Sequence, residues 1–211
     1  MTFDELREDL LQRHAVQRVA GVGAGHEVHV PDRALHYGGG VAKIADFRLD
    51  EETWASGSEA RKRDWSVLLG ELVAHGEFAE ALAGRYLLAT PSSEHLTLEA
   101  LDEDGAVVHI ERVAWKPLQG AIGEYIAIIE QLDGGGRHRG TEWFATLDMG
   151  KKVVHDRAAA ALLQSGFGAS SEKSTLRGLF SLMFALRVDT SQMRHASGHR
   201  DPDGKRPGSR S

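Results

Sequence analysis

The chain has no cysteine, which excludes disulfides, thiolate metal sites and cysteine nucleophiles. It has no apolar run approaching the roughly 18 residues of a membrane span, so no membrane partner is expected. It has no surplus of positive charge: 25 Lys+Arg against 31 Asp+Glu leave a net charge of −6. Dense phosphate contact needs clustered cations, so this balance argues against a nucleic-acid partner. Neither a G-x-S-x-G nucleophile elbow nor a G-x-x-x-x-G-K-[ST] phosphate loop occurs. The opening MTFDELREDL is acidic and amphipathic, unlike a secretory leader, and a cytoplasmic location is expected. What remains is ordinary for a globular chain: 211 residues, 41% hydrophobic and 27% charged, enough for one domain with a small extension.

Three regions are expected. Residues 1–40 hold an N-terminal helix, with Thr2 and Glu5 at capping-box spacing and a Phe3, Leu6, Leu10 stripe, followed by a Gly/His-rich linker around a short strand. Residues 41–189 form a single domain, and residues 190–211 a flexible basic tail. Within the domain, VAKIADFRL (41–49) reads as one strand. Residues 58–83 read as a helix with Trp65, Leu68, Leu69, Leu72 and Val73 on one face. Three strand-like runs follow, RYLLAT, HLTLEAL and AVVHIERVAW, with Asp102–Gly105 as the turn between the last two. Helices are expected from Pro117 to about Leu132, from Thr141 to the SGFGAS break, and over 171–188. The last carries Leu176, Leu179, Phe180, Leu182, Met183, Phe184, Leu186 and Val188 nearly all the way round. It must be either the central buried helix or a subunit contact. The expectation is an α+β fold: an antiparallel meander of three to four strands covered by three to four helices.

Few residues carry chemistry. His26, His29 and His36 sit in a β-like, glycine-flanked segment without the His-Glu-x-x-His spacing, so no metal site is expected. Asp102, Asp104, Gly105 and Glu111 fit part of a calcium loop, but Ala100 occupies the first ligand position and the flanks are strands. Ser170 and Lys173 have Ser-x-x-Lys spacing without the accompanying Lys-Thr-Gly, and Ser170 reads as a helix cap. The most chemical stretch is Leu147–Asp156. On a helix, Asp148, Lys151, Lys152 and His155 fall within about 100° of one another. His155 and Asp148 are the candidate catalytic residues, His155 as general acid or base and Asp148 orienting it or holding a cation. Lys151, Lys152 and Arg137 are candidate ligands for an anionic group. The bland alternative is a solvated face of ordinary ion pairs.

From about Lys43 to Val188 the chain resembles the uncharacterised bacterial protein family 0262 of the UPF series. The resemblance rests on KIADFRLDEET, RYLLATPSSEHLTLEALDEDG, GEYIAIIEQL, ATLDMGKKVVHDRAAAALL and STLRGLFSLMFALR, in that order. The Asp-Met-Gly-basic-basic-x-x-His motif, Asp148 to His155, is the most specific piece. The family has no established activity. The chain departs from it at Arg61–Arg63, where members carry an acidic, His-containing helix start, and at Asp156, where they carry Asn.

With no complete catalytic constellation and no cofactor implied, the expected function is a non-enzymatic interaction or adaptor module. It would bind a protein partner, with a homodimer forming through the 171–188 helix. The rival is a small enzyme or anionic-ligand-binding domain using the Asp148–His155 face. A third reading, weak nucleic-acid association, would use Arg61–Arg63 and the tail cations Arg200, Lys205, Arg206 and Arg210.

Overall fold

The computed structural model describes residues 41–135, 141–167, 169, 170 and 172–189. The expected helix and linker of residues 1–40, the tail from 190, the three histidines before residue 40 and Arg137 lie outside the described residues. The chain divides into Met1–His36 and Tyr37–Ser211, and everything below concerns the second unit.

The elements run β1 (Val41–Ala42), β2 (Asp46–Leu49), α1 (Glu51–Ser56), α2 (Glu59–His75), β3 (Phe78–Ala79), β4 (Tyr86–Pro91), β5 (His95–Leu101), β6 (Val107–Ala114), α3 (Gln119–Gly135), α4 (Thr141–Gln164) and α5 (Lys173–Arg187). Short 3-10 turns occupy Glu80–Leu82 and Lys116–Leu118. The main sheet has the order β2-β4-β5-β6. As expected, β4, β5 and β6 form an antiparallel meander. Its second turn is the Asp-Gly turn: Asp102 Oδ1 accepts from the backbone N–H of Asp104 at 3.0 Å and of Ala106 at 2.8 Å, and Gly105 takes φ +79°. That carboxylate oxygen closes the turn.

The sheet is mixed rather than purely antiparallel, because β2 runs parallel to β4. Parallel neighbours need a crossover, and α1 and α2 supply it. The run read as one strand over 41–49 is broken at Lys43–Ala45, and β1 pairs with β3 in a separate two-stranded ribbon. The helix expected over 58–83 ends at His75. A Cβ at Gly76 would collide with the Leu72 carbonyl and the Phe78 ring, so glycine permits the chain to leave the helix there and enter β3. The short α1 is unforeseen by the periodicity; Asp50 caps it, its Oδ1 accepting from Thr53 N–H at 3.1 Å.

Helices cover one face of the sheet. Strands β4 and β5 alternate in burial, with Leu87, Ala89, Leu96, Leu98 and Ala100 inward, as a sheet with one packed face requires. The central helix is α5, packed between α2 and α4, while α3 packs on α4. Leu176, Leu179, Phe180, Leu182, Met183 and Phe184 are all buried within the single chain. Of the two placements its all-round apolarity allowed, the structure gives the internal one. Leu186 and Val188, at its C-terminal end, are only partly buried.

Candidate functional site

Helix α4 carries the Asp148–His155 motif and separates its residues into three settings. Asp148 and Lys152, one turn apart, form an ion pair at 3.0 Å with side chains 62% and 69% exposed. Such an exposed i, i+4 pair contributes about 0.3–0.5 kcal/mol. Asp148 stands seven residues from His155, about 10 Å along a helix, and its carboxylate goes to Lys152 instead. Lys151 is half-buried.

His155 points toward α5 and α3. Its ring packs edge-on against Phe180 at 5.2 Å and Tyr125 at 5.0 Å, and Tyr125 in turn meets Phe184 at 4.7 Å. Burial holds the imidazole below its ordinary pKa, and the charges of Arg177 and Lys151 push the same way. The carboxylate beside it is Asp156, not Asp148. Asp156 accepts from Lys173 at 2.6 Å and from Arg177, both on α5. The Lys173 hydrogen bond, then Arg177, holds its carboxyl below the usual range. Asp156 thus ties α4 to α5 by charge. Lys173 is occupied there, and Ser170 Oγ donates to the Glu77 carbonyl at 2.5 Å, so the Ser-x-x-Lys pair is not assembled. Ser170 precedes the α5 cap, which is Glu172.

Arg61 also departs from a solvated basic patch. Its Nη2 donates to the carbonyls of Ala185 at 3.1 Å and Leu186 at 2.9 Å, and Trp65 Nε1 donates to Ala185 at 3.1 Å. These donors satisfy end-of-helix carbonyls of α5, so Arg61 is a structural residue. Among the described residues no group of three His, Asp or Glu side chains gathers as a metal site.

The concave feature lies on the neighbouring face of α4. An open groove of about 550 Å³ runs between α3 and α4, lined by Glu124 and Ile128 from α3 and by Ala145, Thr146, Met149, Gly150, Val153, Val154 and Arg157 from α4. None of Asp148, Lys151, Lys152 or His155 lines it. Its charged groups, Glu124 and Arg157, are paired to each other. A Cβ at Gly150 would make ordinary van der Waals contact with Ile128 Cδ1, at 3.4 Å. Met149 and Val153 are 64% and 56% exposed, and Phe144 lies nearby on the same helix at 41%. The helical period of the sequence picks out the buried stripe Leu147, Val154, Ala158. The i, i+4 series Ala145, Met149, Val153 on another face was the available signal for the groove.

Residues 41–189 match the model of the Uncharacterised protein family (UPF0262). A UPF0262 protein of Methylobacterium radiotolerans is 26% identical over 150 residues, spanning 70% of this chain and 94% of that one. No solved structure matches.

Proposed function

The chain belongs to the uncharacterised family UPF0262, and we propose that it serves there as a non-enzymatic protein-interaction module whose α3–α4 groove takes an amphipathic helix of a partner. One observation carries the reading: the groove is walled by Ile128, Ala145, Met149 and Val153 and holds no unpaired charge. Two neighbouring helical ridges with apolar walls suit a third helix presenting anchors at i, i+3 or i+4. The unbranched Met149 side chain can re-pack around such anchors. The His155 surroundings lend no comparable support to the enzyme reading, since the imidazole is packed among aromatic rings and Asp148 is committed to Lys152. Among the described residues no helix is long and apolar enough to cross a membrane. A cytoplasmic setting is part of the reading, as a cysteine-free chain needs no oxidising compartment to fold.

The test places a photo-crosslinking residue at Met149 in the full chain in cells, with the exposed position Arg63 as control. The reading expects a discrete adduct at Met149, mapping to an amphipathic helix of one protein and lost on Val153→Glu while the thermal midpoint is kept. Labelling no different from the Arg63 control, or an adduct untouched by Val153→Glu, overturns it.

A further inference from the structure

The sheet ends at β6, and among the described residues no strand pairs with its outer side. The opposite edge strand, β2, has four residues, whereas β6 has eight. Edge strands of monomers are kept short, or carry prolines, bulges and lysines that deter pairing. Strand β6 has no proline or lysine and exposes Val107, Val108 and Ile110 at 44%, 47% and 40%; its pairing with β5 shifts between Ala100 and Leu101, which makes Val108 an extra, bulged residue at the start of the strand. Beyond the bulge, His109–Ala114 is still a longer open edge than β2, and none of its residues lines the α3–α4 groove.

We propose that β6 is the seam of a homodimer, in which two copies pair β6 with β6 antiparallel about a two-fold axis at Ile110 and join their sheets edge to edge. The register follows from the strand's own sequence. Keeping both helix-covered faces on one side of the joined sheet allows only registers that set one residue opposite its own copy, because side chains alternate between faces. Centring on Glu111 sets carboxylate against carboxylate, and centring on Arg112 sets guanidinium against guanidinium. Centring on His109 sets the two imidazoles together and faces Glu111 with Val107. Centring on Val108 shortens the overlap, since the chain turns away before Val107. Centring on Ile110 leaves no conflict. Ile110 meets Ile110 of the second copy and His109 meets Glu111 on either side of it, and the bulge at Val108 ends the regular pairing. Opposite-charge and apolar cross-strand pairs are favourable, and like charges directly opposite are unfavourable.

The inward face supports the same register. His109 and Glu111 of one copy already pair at 3.1 Å with side chains 26% and 14% exposed. The two-fold would set the two pairs head to tail, so each imidazole lies between its own carboxylate and the other copy's. The interface is isologous and closed, and it pairs the longer open edge among the described residues.

The full chain tests this directly. Sedimentation over a concentration series is expected to show a monomer–dimer equilibrium whose dissociation constant rises at least about tenfold in Ile110→Lys, which sets two ammonium groups at the axis. His109→Glu, facing carboxylate with carboxylate, weakens the dimer as well, and His109→Glu combined with Glu111→His restores it. Because the chain has no cysteine of its own, Ile110→Cys offers one thiol per copy at the axis. Directly opposite Cα atoms stand about 4.5–5.5 Å apart, within disulfide reach. Mild oxidation is expected to give covalent dimer from Ile110→Cys but not from Val108→Cys. A chain that stays monomeric at all concentrations, a dimer indifferent to Ile110→Lys, or equal cross-linking at Val108→Cys overturns the proposal. Met149→Glu is expected to leave the dimer intact, so failure of the groove reading and failure of the seam are separate results.

Discussion

At the scale of single residues, His155 shows how position on one helix can mislead about chemistry. Spacing places it beside Asp148, Lys151 and Lys152, but the side chain leaves that company and inserts between Tyr125 and Phe180. Its pKa is lowered chiefly by burial. A histidine depressed in the folded state binds its proton more readily when unfolded, so folding loses stability as pH falls below about 6.5, the unfolded value, and through the folded one. The thermal midpoint should therefore drop more steeply from pH 7 to pH 5.5 in the natural chain than in His155→Phe, which keeps an aromatic ring and removes the proton. Equal slopes would mean that the imidazole's setting has no thermodynamic weight. Arg61 gives the companion lesson. Within an Arg-Lys-Arg run it reads as surface charge, yet its guanidinium holds the C-terminal carbonyls of α5. Arg61→Ala should cost about 1–3 kcal/mol in urea unfolding, the range for charged hydrogen bonds and stranded acceptors.

At the scale of elements, stop signals were harder to read than periodicities. The helix expected to run to residue 83 ends at Gly76, where only a residue without Cβ fits against the Leu72 carbonyl and Phe78. Glycine immediately after a helical stretch is a recognised terminator; the apolar residues beyond it obscured the signal. Gly76→Ala is expected to destabilise the fold by roughly 1–3 kcal/mol, as overpacked core positions do, measured as a lower urea midpoint with unchanged slope. The strand read over 41–49 was overlong for a different reason. Alternation cannot report which partner each half finds, and the halves pair with β3 and β4 in separate sheets. The Asp102–Gly105 turn, by contrast, is a local device whose hydrogen bonds close within four residues, and the sequence specifies it fully.

At the scale of the whole molecule, the covering of α5 decides where apolar surface is left over. Its all-round apolarity called for cover, and α2 and α4 provide it within one chain. Exposed apolar side chains of the described residues include those of the α3–α4 groove and of β6. If β6 closes a dimer that only the native chain forms, mass action makes the thermal midpoint climb with protein concentration. Ile110→Lys should flatten that dependence, read by calorimetry across a concentration series. The amino-acid sequence by itself determined the α+β class, the antiparallel meander, the Asp-Gly turn and the three C-terminal helices, because hydrophobic period and turn chemistry act over a few residues. Only the tertiary structure decided that β2 lies parallel to β4, that α5 is enclosed, that Asp156 rather than Asp148 stands by His155, and that the groove occupies the other face of α4. Each of these depends on which distant segment packs alongside, and no local pattern carries that information.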